Sequence, residues 1–375
     1  MNRSLIFVAL ALLLWGFGEG MFFNFVPIYL DNQFALSKSD IGLVLGAFGL
    51  AMAITHIPAG RLADRIGRRP LLLVAWVLGL VSTVIMGLAL ALPLFLVGLF
   101  GYGLTAFVSS PLSSYVTAAR GKLPIATVLS LTTATFALGM VLGPVTGGWI
   151  GDHYGMRMSF FIAAGMFVLS NVFIFFIERQ PIDQHDPGTP PPGLRSNKGF
   201  LVLMGVLAFA MFSMYLAQPL TPNFLEGVRG LSLSETGIIF TAGALGNSMM
   251  ALMLSRVPPR RGFLIAQALV SLFALLIWQG TNLPVYILGY FLLGGFRAAR
   301  PMALAQAREL VHDSQMGMTY GIMETITAII FILTPPLAGM LFEQGPMLVY
   351  PLAIGLIAVS ILVSYVFSPR KVSHA

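Results

Sequence analysis

Long apolar stretches recur along the chain and are separated by short polar turns. A helix that crosses the hydrocarbon core of a bilayer needs about 20 such residues. Twelve stretches reach this length, so the pattern predicts an all-α polytopic membrane protein. We number the predicted spans in chain order. They cover approximately residues 5–30, 41–61, 70–91, 93–118, 123–150, 158–178, 199–225, 235–256, 262–281, 284–307, 317–342 and 347–368.

A polar, proline-rich segment at 179–198 interrupts this pattern and is typical of a linker. It predicts an N-terminal six-helix bundle at 1–178 and a C-terminal six-helix bundle at 199–375. The two halves also resemble each other in sequence. Pro27 and the segment 35–42 recur as Pro222 and the segment 230–237, at an offset of 195 residues. Inverted or parallel repeats of this kind are typical of transporters whose substrate site lies near the membrane midplane.

Composition and charge narrow the class of protein. Hydrophobic residues make up 57% of the chain and charged residues 9%, whereas a soluble domain has about 25% charged residues. A soluble globular protein is therefore excluded. Sixteen Lys and Arg residues fall on one side of the predicted membrane and three on the other. By the positive-inside rule, both termini are expected in the cytoplasm. The net charge of +7 is thus a topology signal, and no nucleic-acid partner is expected.

The loop between spans 2 and 3 contains a distinctive run of glycines and charges. This run closely resembles motif A of the major facilitator superfamily (MFS). Its residues are Gly60, Asp64, Arg65, Gly67, Arg68 and Arg69. The resemblance implies two six-helix bundles around a central cavity that opens alternately to either side. It also implies that Asp64 latches the cytoplasmic gate, with Arg65 and Arg68 as partners.

Span 5 carries a second resemblance, to motif C of the drug/proton antiporters in that superfamily. The small residues of the pattern allow close helix packing, and its proline allows a kink. They are Gly139, Gly143, Pro144, Gly147 and Gly148. Span 4 departs from the antiporter pattern, because Val97 stands where motif B has an arginine.

Ionisable residues within membrane spans are costly and are functional by default. Glu19 lies near the centre of span 1, which lines the cavity in the fold that the resemblance implies. Arg297 and Arg300 share one face of span 10, and an ion pair between Arg300 and Glu324 of span 11 is expected. Asn24 is a further polar candidate for the cavity. These five residues form the predicted proton and substrate site.

These features favour a proton-coupled exporter of small amphiphilic, drug-like molecules that works by alternating access. The alternative is a transporter of a specific anionic metabolite or lipid, favoured by Arg297. A third possibility is a receptor or lipid scramblase without transport. No phosphate-binding loop or hydrolase motif occurs in the chain, so no enzyme activity, catalytic residue, cofactor or metal is expected. We expect a monomer in the plasma membrane, with protons as the coupling ion and the bilayer as its surroundings.

Overall fold

The computed structural model describes residues 3–180, 197–311 and 316–368. Within these ranges it describes only the backbone of 56–65, 126 and 317. The predicted linker at 179–198 therefore lies largely outside the described residues.

The part of the chain that the structure describes is helical and contains no strand. Eleven of its helices are long and apolar enough to cross a membrane. The remaining predicted span, the tenth, forms two shorter helices on either side of Leu293. In chain order the spans run Arg3–Phe34, Lys38–Ile66, Arg68–Leu88, Leu92–Ala118, Ile125–Tyr154, Met156–Phe175, Lys198–Tyr215, Leu233–Leu254, Pro259–Gln279, Leu283–Leu292 with Gly294–Arg308, Met316–Gln344 and Val349–Phe367.

Spans 1 and 4 are interrupted by short 3₁₀ turns, at Phe23–Phe25 and Thr105–Val108. Proline explains both positions, because its ring clashes with the carbonyl four residues earlier and it has no N–H to donate. Pro27 follows the first turn and Pro111 follows the second, each four residues after a residue in that turn.

Spans 7 and 10 are interrupted at the corresponding places in the second half. The helix of span 7 ends at Tyr215, four residues before Pro219, and the chain continues in the π-helical turn Phe224–Val228. Span 10 breaks at Leu293, directly before Gly294 and Gly295. Glycine is a poor helix former, which accounts for this break. Discontinuous helices of this kind form the substrate and ion sites of many transporters.

The helices group into two compact units. One unit contains 1–36, 47–186 and 230–241, and the other contains 37–46, 187–229 and 242–375. Each half of the sequence thus contributes one short segment to the unit of the other half. These segments are the first turns of spans 2 and 8.

In the first unit, span 1 packs against spans 5 and 6, and span 3 packs against spans 4 and 6. The core of this unit is rich in aromatic rings. Trp15 stacks on Phe167 with ring centroids 4.2 Å apart, and the indole N–H of Trp76 donates to the Ser170 hydroxyl. In the second unit, span 9 packs against spans 10 and 12, and span 12 packs against span 7.

Candidate functional site

Glu19 lies on the long helical part of span 1, one turn before its break, and is half-buried. Its Oε2 atom accepts hydrogen bonds from two aromatic side chains. The indole N–H of Trp15, four residues earlier on the same helix, donates at 3.1 Å. The hydroxyl of Tyr102 in span 4 donates at 2.8 Å. Both donors are neutral, so they stabilise a carboxylate without adding a positive charge.

Aromatic rings surround these two donors. Trp15 lies almost parallel to Tyr102, with ring centroids 6.1 Å apart, and Phe22 meets the Tyr102 ring edge-on at 5.4 Å. Phe23 lies 6.4 Å from the same ring. Aromatic faces attract cations and pack against apolar groups. We refer to Trp15, Phe22, Phe23 and Tyr102, with the carboxylate of Glu19, as the acid–aromatic cluster.

Three glycines around Glu19 bring span 1 close to its neighbours. A Cβ on Gly18 would lie 2.7 Å from the ring of Phe167. A Cβ on Gly20 would lie 3.1 Å from Cα of Gly143, and one on Gly16 would overlap the backbone of Phe136. Larger residues at these places would push span 1 away from spans 5 and 6. The glycines therefore fix the depth and orientation of Glu19 within the first unit.

Asn24 lies within the 3₁₀ break of span 1 and is half-buried. Its side-chain amide makes no hydrogen bond to the residues that the structure describes. It thus stands at an irregular position of the backbone, next to the acid–aromatic cluster in sequence. Its role in substrate binding stays a prediction.

The second unit contains the cationic residues that the sequence singled out. Arg297 is exposed, although Phe296 and Ala298 on either side of it are buried. Tyr215 ends the first helix of span 7 and lies near Arg297. The Tyr215 ring in turn lies 5.6 Å from Phe296 and 4.7 Å from Phe331. Arg297 makes no hydrogen bond or ion pair within the described ranges, so its guanidinium is available to a ligand.

Arg300 and Glu324 form an ion pair. Both side chains are partly accessible, at 36% and 56% of their full area. The sequence predicted this pair from the similar depth of the two residues on consecutive spans, and the two side chains do meet in the structure. The pair holds span 10 to span 11 just after the break at Leu293.

Removing one member of this pair is expected to destabilise the protein more than removing both. The Glu324→Gln variant leaves the Arg300 charge without its partner, whereas adding Arg300→Gln removes that charge as well. We expect the single variant to have the lower melting temperature in detergent and the double variant to recover most of the loss. A double variant that is as unstable as Glu324→Gln would contradict a mainly structural pair and point to a direct role for Arg300.

Motif A is only partly described. Only the backbone is described at Gly60, Asp64 and Arg65, so the cytoplasmic latch stays a prediction. Gly67 separates spans 2 and 3 with a φ of 84°, a left-handed conformation that favours glycine. Arg69 donates to the backbone carbonyls of Ile177 and Phe175, at 2.7 and 3.0 Å. It thereby caps the end of span 6, and half-buried Arg68 stands beside it.

The motif C-like residues form two faces of span 5. Gly139, Gly143 and Gly147 lie at four-residue spacing against the backbone of span 1. A Cβ on Gly147 would lie 2.6 Å from Cα of Met21, and one on Gly143 would lie 2.5 Å from the carbonyl oxygen of Phe17. Gly148 faces the first turns of span 8, and Pro144 lies between the two faces, with its ring near Gly20 of span 1 and its carbonyl near Gly237 of span 8. The first face positions the helix that carries Glu19.

Sequence reasoning found Glu19 but not the residues that hold it. A signal for Trp15 was present, because residues four apart share a helix face. Tyr102 could not be placed without knowing which faces of spans 1 and 4 meet. No group of three His, Cys, Asp or Glu side chains that could hold a metal ion occurs in the described residues.

Membrane-spanning helices with breaks in spans 1, 4, 7 and 10, with Glu19 beside the first break and Arg297 beside the last, are typical of a secondary transporter. The comparisons with known proteins agree. Residues 8–257 and 203–375 match the family model of the Major Facilitator Superfamily. The chain belongs to this superfamily and is a transporter of small molecules across a membrane, not an enzyme. The predicted family and fold are thus confirmed.

Two of the relatives are bacterial drug resistance proteins. Multidrug resistance protein 2 of Bacillus subtilis is 23% identical over 346 residues, which cover 87% of this chain and 85% of that protein. The class B tetracycline resistance protein of Escherichia coli is 24% identical, with 67% and 61% covered. Among solved structures, the nucleoside transporter NupG has a TM-score of 0.77 at 14% identity, with 98% of each chain covered. A human organic anion transporter has a TM-score of 0.71 at 16% identity, with 96% and 99% covered. These two structures share the fold with this chain.

Proposed function

We propose that this transporter exports small amphiphilic, drug-like molecules in exchange for protons. The observation that carries the proposal is the Glu19 carboxylate, held by Trp15 and Tyr102 within a cluster of aromatic rings. An acid among apolar surfaces can bind a proton or a cationic group, while the rings accept flat, apolar parts of a substrate. The names of the relatives support this substrate class, because they include two kinds of drug resistance protein.

The exchange needs one group that binds either a proton or the substrate. When the site faces the cytoplasm, the arriving substrate displaces the proton of Glu19, which leaves to the cytoplasm. When the site faces outward, the substrate departs and Glu19 takes a proton from that side. The hydrogen bonds from Trp15 and Tyr102 stabilise the ionised carboxylate, which is the form present while the substrate is bound.

The proposal also covers the topology of the chain in the membrane. The distribution of Lys and Arg supports a plasma-membrane protein with both termini in the cytoplasm. We propose six-helix bundles at 1–178 and 199–375, joined by the linker at 179–198. Nothing in the repeat requires a second copy, so we propose that the monomer transports.

A second candidate function is transport of a specific anion, and Arg297 favours it. This guanidinium is exposed and has no ion-pair partner within the described ranges. It could bind a carboxylate or phosphate directly. In that case recognition would be narrow, and the acid–aromatic cluster would serve mainly to couple protons.

A panel of compounds distinguishes the two functions. Inside-out vesicles are acidified, and a pH-sensitive dye records discharge of the gradient as cationic, neutral and anionic compounds are added in turn. We expect discharge by cationic and neutral amphiphiles and little change in the Arg297→Ala variant. Discharge by anions alone, abolished in Arg297→Ala, would replace export of drug-like molecules with anion transport.

The Tyr102→Phe variant is expected to reduce proton-coupled export without abolishing it. The change removes the hydroxyl donor to Oε2 of Glu19 and keeps the aromatic ring. The rate of gradient discharge should fall to an intermediate level, because Trp15 still donates. Tyr115→Phe is the matched control, since that hydroxyl donates to the backbone of Glu178, far from Glu19 in sequence. Equal effects of the two changes would contradict a role for Tyr102 in the site.

A further inference from the structure

A cavity of about 580 Å³ lies within the first unit, where three spans come together. It is bounded by the last turns of span 4, the loop after them and the first residues of spans 3 and 5. Pockets that bind small molecules have volumes of about 300–1,000 Å³. The Lys and Arg distribution predicts the cytoplasmic side of the membrane for this end of the helices. The acid–aromatic cluster contributes no residue to the described lining of this cavity, so the cavity is separate from the proposed transport site.

Two guanidinium groups line this cavity, those of Arg68 and Arg120. Both side chains are half-buried, and no acidic side chain occurs among the described residues of the lining. Arg120 follows the end of the helix Ser109–Ala118, but it makes no hydrogen bond or ion pair within the part of the chain that the structure describes. Its charge is therefore not used to cap that helix and is available to an anion. We call this site the arginine cavity.

The last turns of span 4 add hydroxyl groups to the arginine cavity, from Ser113, Ser114 and Thr117. The hydroxyls of Ser113 and Thr117 each donate to the backbone carbonyl four residues earlier, at 2.8 Å. The hydroxyl of Ser114 donates to no acceptor among the described residues. The Ser114 hydroxyl and the Arg120 guanidinium are thus both left for a ligand.

Two helices begin at the arginine cavity. Arg68 is the first residue of the helix of span 3, and Ile125 is the first residue of the helix of span 5. The residues before them, Gly67 and Pro124, give no side-chain hydrogen bond to the helix start. A helix start acts as about half a positive charge, and a helix end as about half a negative one. Two helix starts and two guanidinium groups therefore outweigh the helix end of span 4, and the cavity favours an anion.

The donors of the arginine cavity match a phosphate monoester better than a carboxylate. A phosphate monoester has three terminal oxygens that accept hydrogen bonds, whereas a carboxylate has two. The planar guanidinium of an arginine can bind phosphate through two parallel N–H groups. The cavity is also larger than inorganic phosphate requires, so it has room for the alcohol part of an ester. Ile125, which is exposed, supplies an apolar edge for that part.

We propose that the arginine cavity binds a phosphate monoester, which is either the headgroup of an acidic lipid or a soluble alcohol phosphate. The site is separate from the acid–aromatic cluster, so it does not depend on export of drug-like molecules. A bound monoester bridges the start of span 3 to the end of span 4, through Arg68 and Arg120. It binds the assembled cavity and not the unfolded chain, and it therefore stabilises the folded protein.

Binding is measured through the melting temperature of the purified full-length protein in an uncharged detergent. The probes are glycerol phosphate, dioctanoyl phosphatidic acid and dioctanoyl phosphatidylcholine. We expect a saturable rise with one or both of the first two probes, which carry a phosphate monoester. A rise with phosphatidic acid alone would identify a lipid headgroup as the source, and a rise with glycerol phosphate would identify a soluble ester. Phosphatidylcholine should give no saturable rise, because its phosphate is a diester beside a cationic group.

The Arg120→Gln variant should weaken binding of the monoester about tenfold, because hydrogen bonds from a charged donor are lost. Ser114→Ala should weaken it less, and it tests the same site if Arg120→Gln folds poorly. Lys122→Gln is the matched control, since it removes the same charge from an exposed side chain outside the described lining. It should bind as tightly as the wild type. The site is overturned if neither monoester gives a saturable rise, if phosphatidylcholine matches them, or if folded Arg120→Gln and Ser114→Ala bind as tightly as Lys122→Gln.

Discussion

Replacing Glu19 with glutamine is expected to abolish proton-driven export. Glutamine keeps the size and hydrogen-bonding reach of the side chain but cannot exchange a proton. Trp15 and Tyr102, which donate to Oε2 of Glu19, can still donate to the amide oxygen of glutamine, so the local packing should survive. In acidified vesicles, compounds that discharge the gradient with the wild type should leave it intact with Glu19→Gln. Substrate binding measured without a gradient should weaken most for cationic compounds, because the negative charge is gone.

Glu178→Gln is the control for this experiment. Glu178 is an exposed acid at the end of span 6, and the contacts that it makes to Ser4 and Tyr115 use its backbone. This variant should transport as well as the wild type. Normal gradient discharge by Glu19→Gln would show that the proton is carried elsewhere and would remove the basis of the proposed exchange.

Replacing Gly147 with alanine is expected to destabilise the first unit strongly. The new Cβ would lie 2.6 Å from Cα of Met21, and the opposing atoms belong to the backbone of span 1. A backbone cannot move aside as a flexible side chain can, so spans 1 and 5 must separate. Overpacking of this kind costs about 3 kcal/mol. It should appear as a large fall in the melting temperature of the protein in detergent.

Gly165→Ala provides a matched control in the same unit. Gly165 lies in the helix of span 6, and a Cβ there would meet nothing within 4 Å. Alanine is a better helix former than glycine by up to about 1 kcal/mol. The control should therefore be as stable as the wild type or slightly more so. If both variants keep the wild-type melting temperature, the close contact between spans 1 and 5 is not required for stability.

The length of the spans and the repeat could be read from the sequence, because both depend on composition and order alone. An apolar run of about 20 residues indicates a membrane helix, whichever other helices it packs against. The breaks in spans 1, 4 and 7 follow from Pro27, Pro111 and Pro219, whose effects on the helix are local. Glu19 and Arg297 stood out because charges are rare in such segments.

The neighbours of Glu19, and the acids at the ends of spans 5 and 11 that bond the first residues of spans 8 and 2, could not be read in the same way. Tyr102 is distant in the chain from Glu19, and its role depends on which faces of spans 1 and 4 meet. Asp152 and Glu343 resemble ordinary acids at the ends of helices. Their repeated position after a proline and a glycine becomes informative only when Ser39 and Ser234 are seen to receive them.

The most direct test of the account is uphill transport in proteoliposomes. Purified protein is reconstituted with equal concentrations of a labelled cationic amphiphile on both sides, and a proton gradient is then imposed. The account predicts that the compound accumulates on the more acidic side, that a protonophore prevents this, and that Glu19→Gln shows no accumulation. Accumulation that is independent of the gradient, or equilibration without any accumulation, would contradict proton-coupled export.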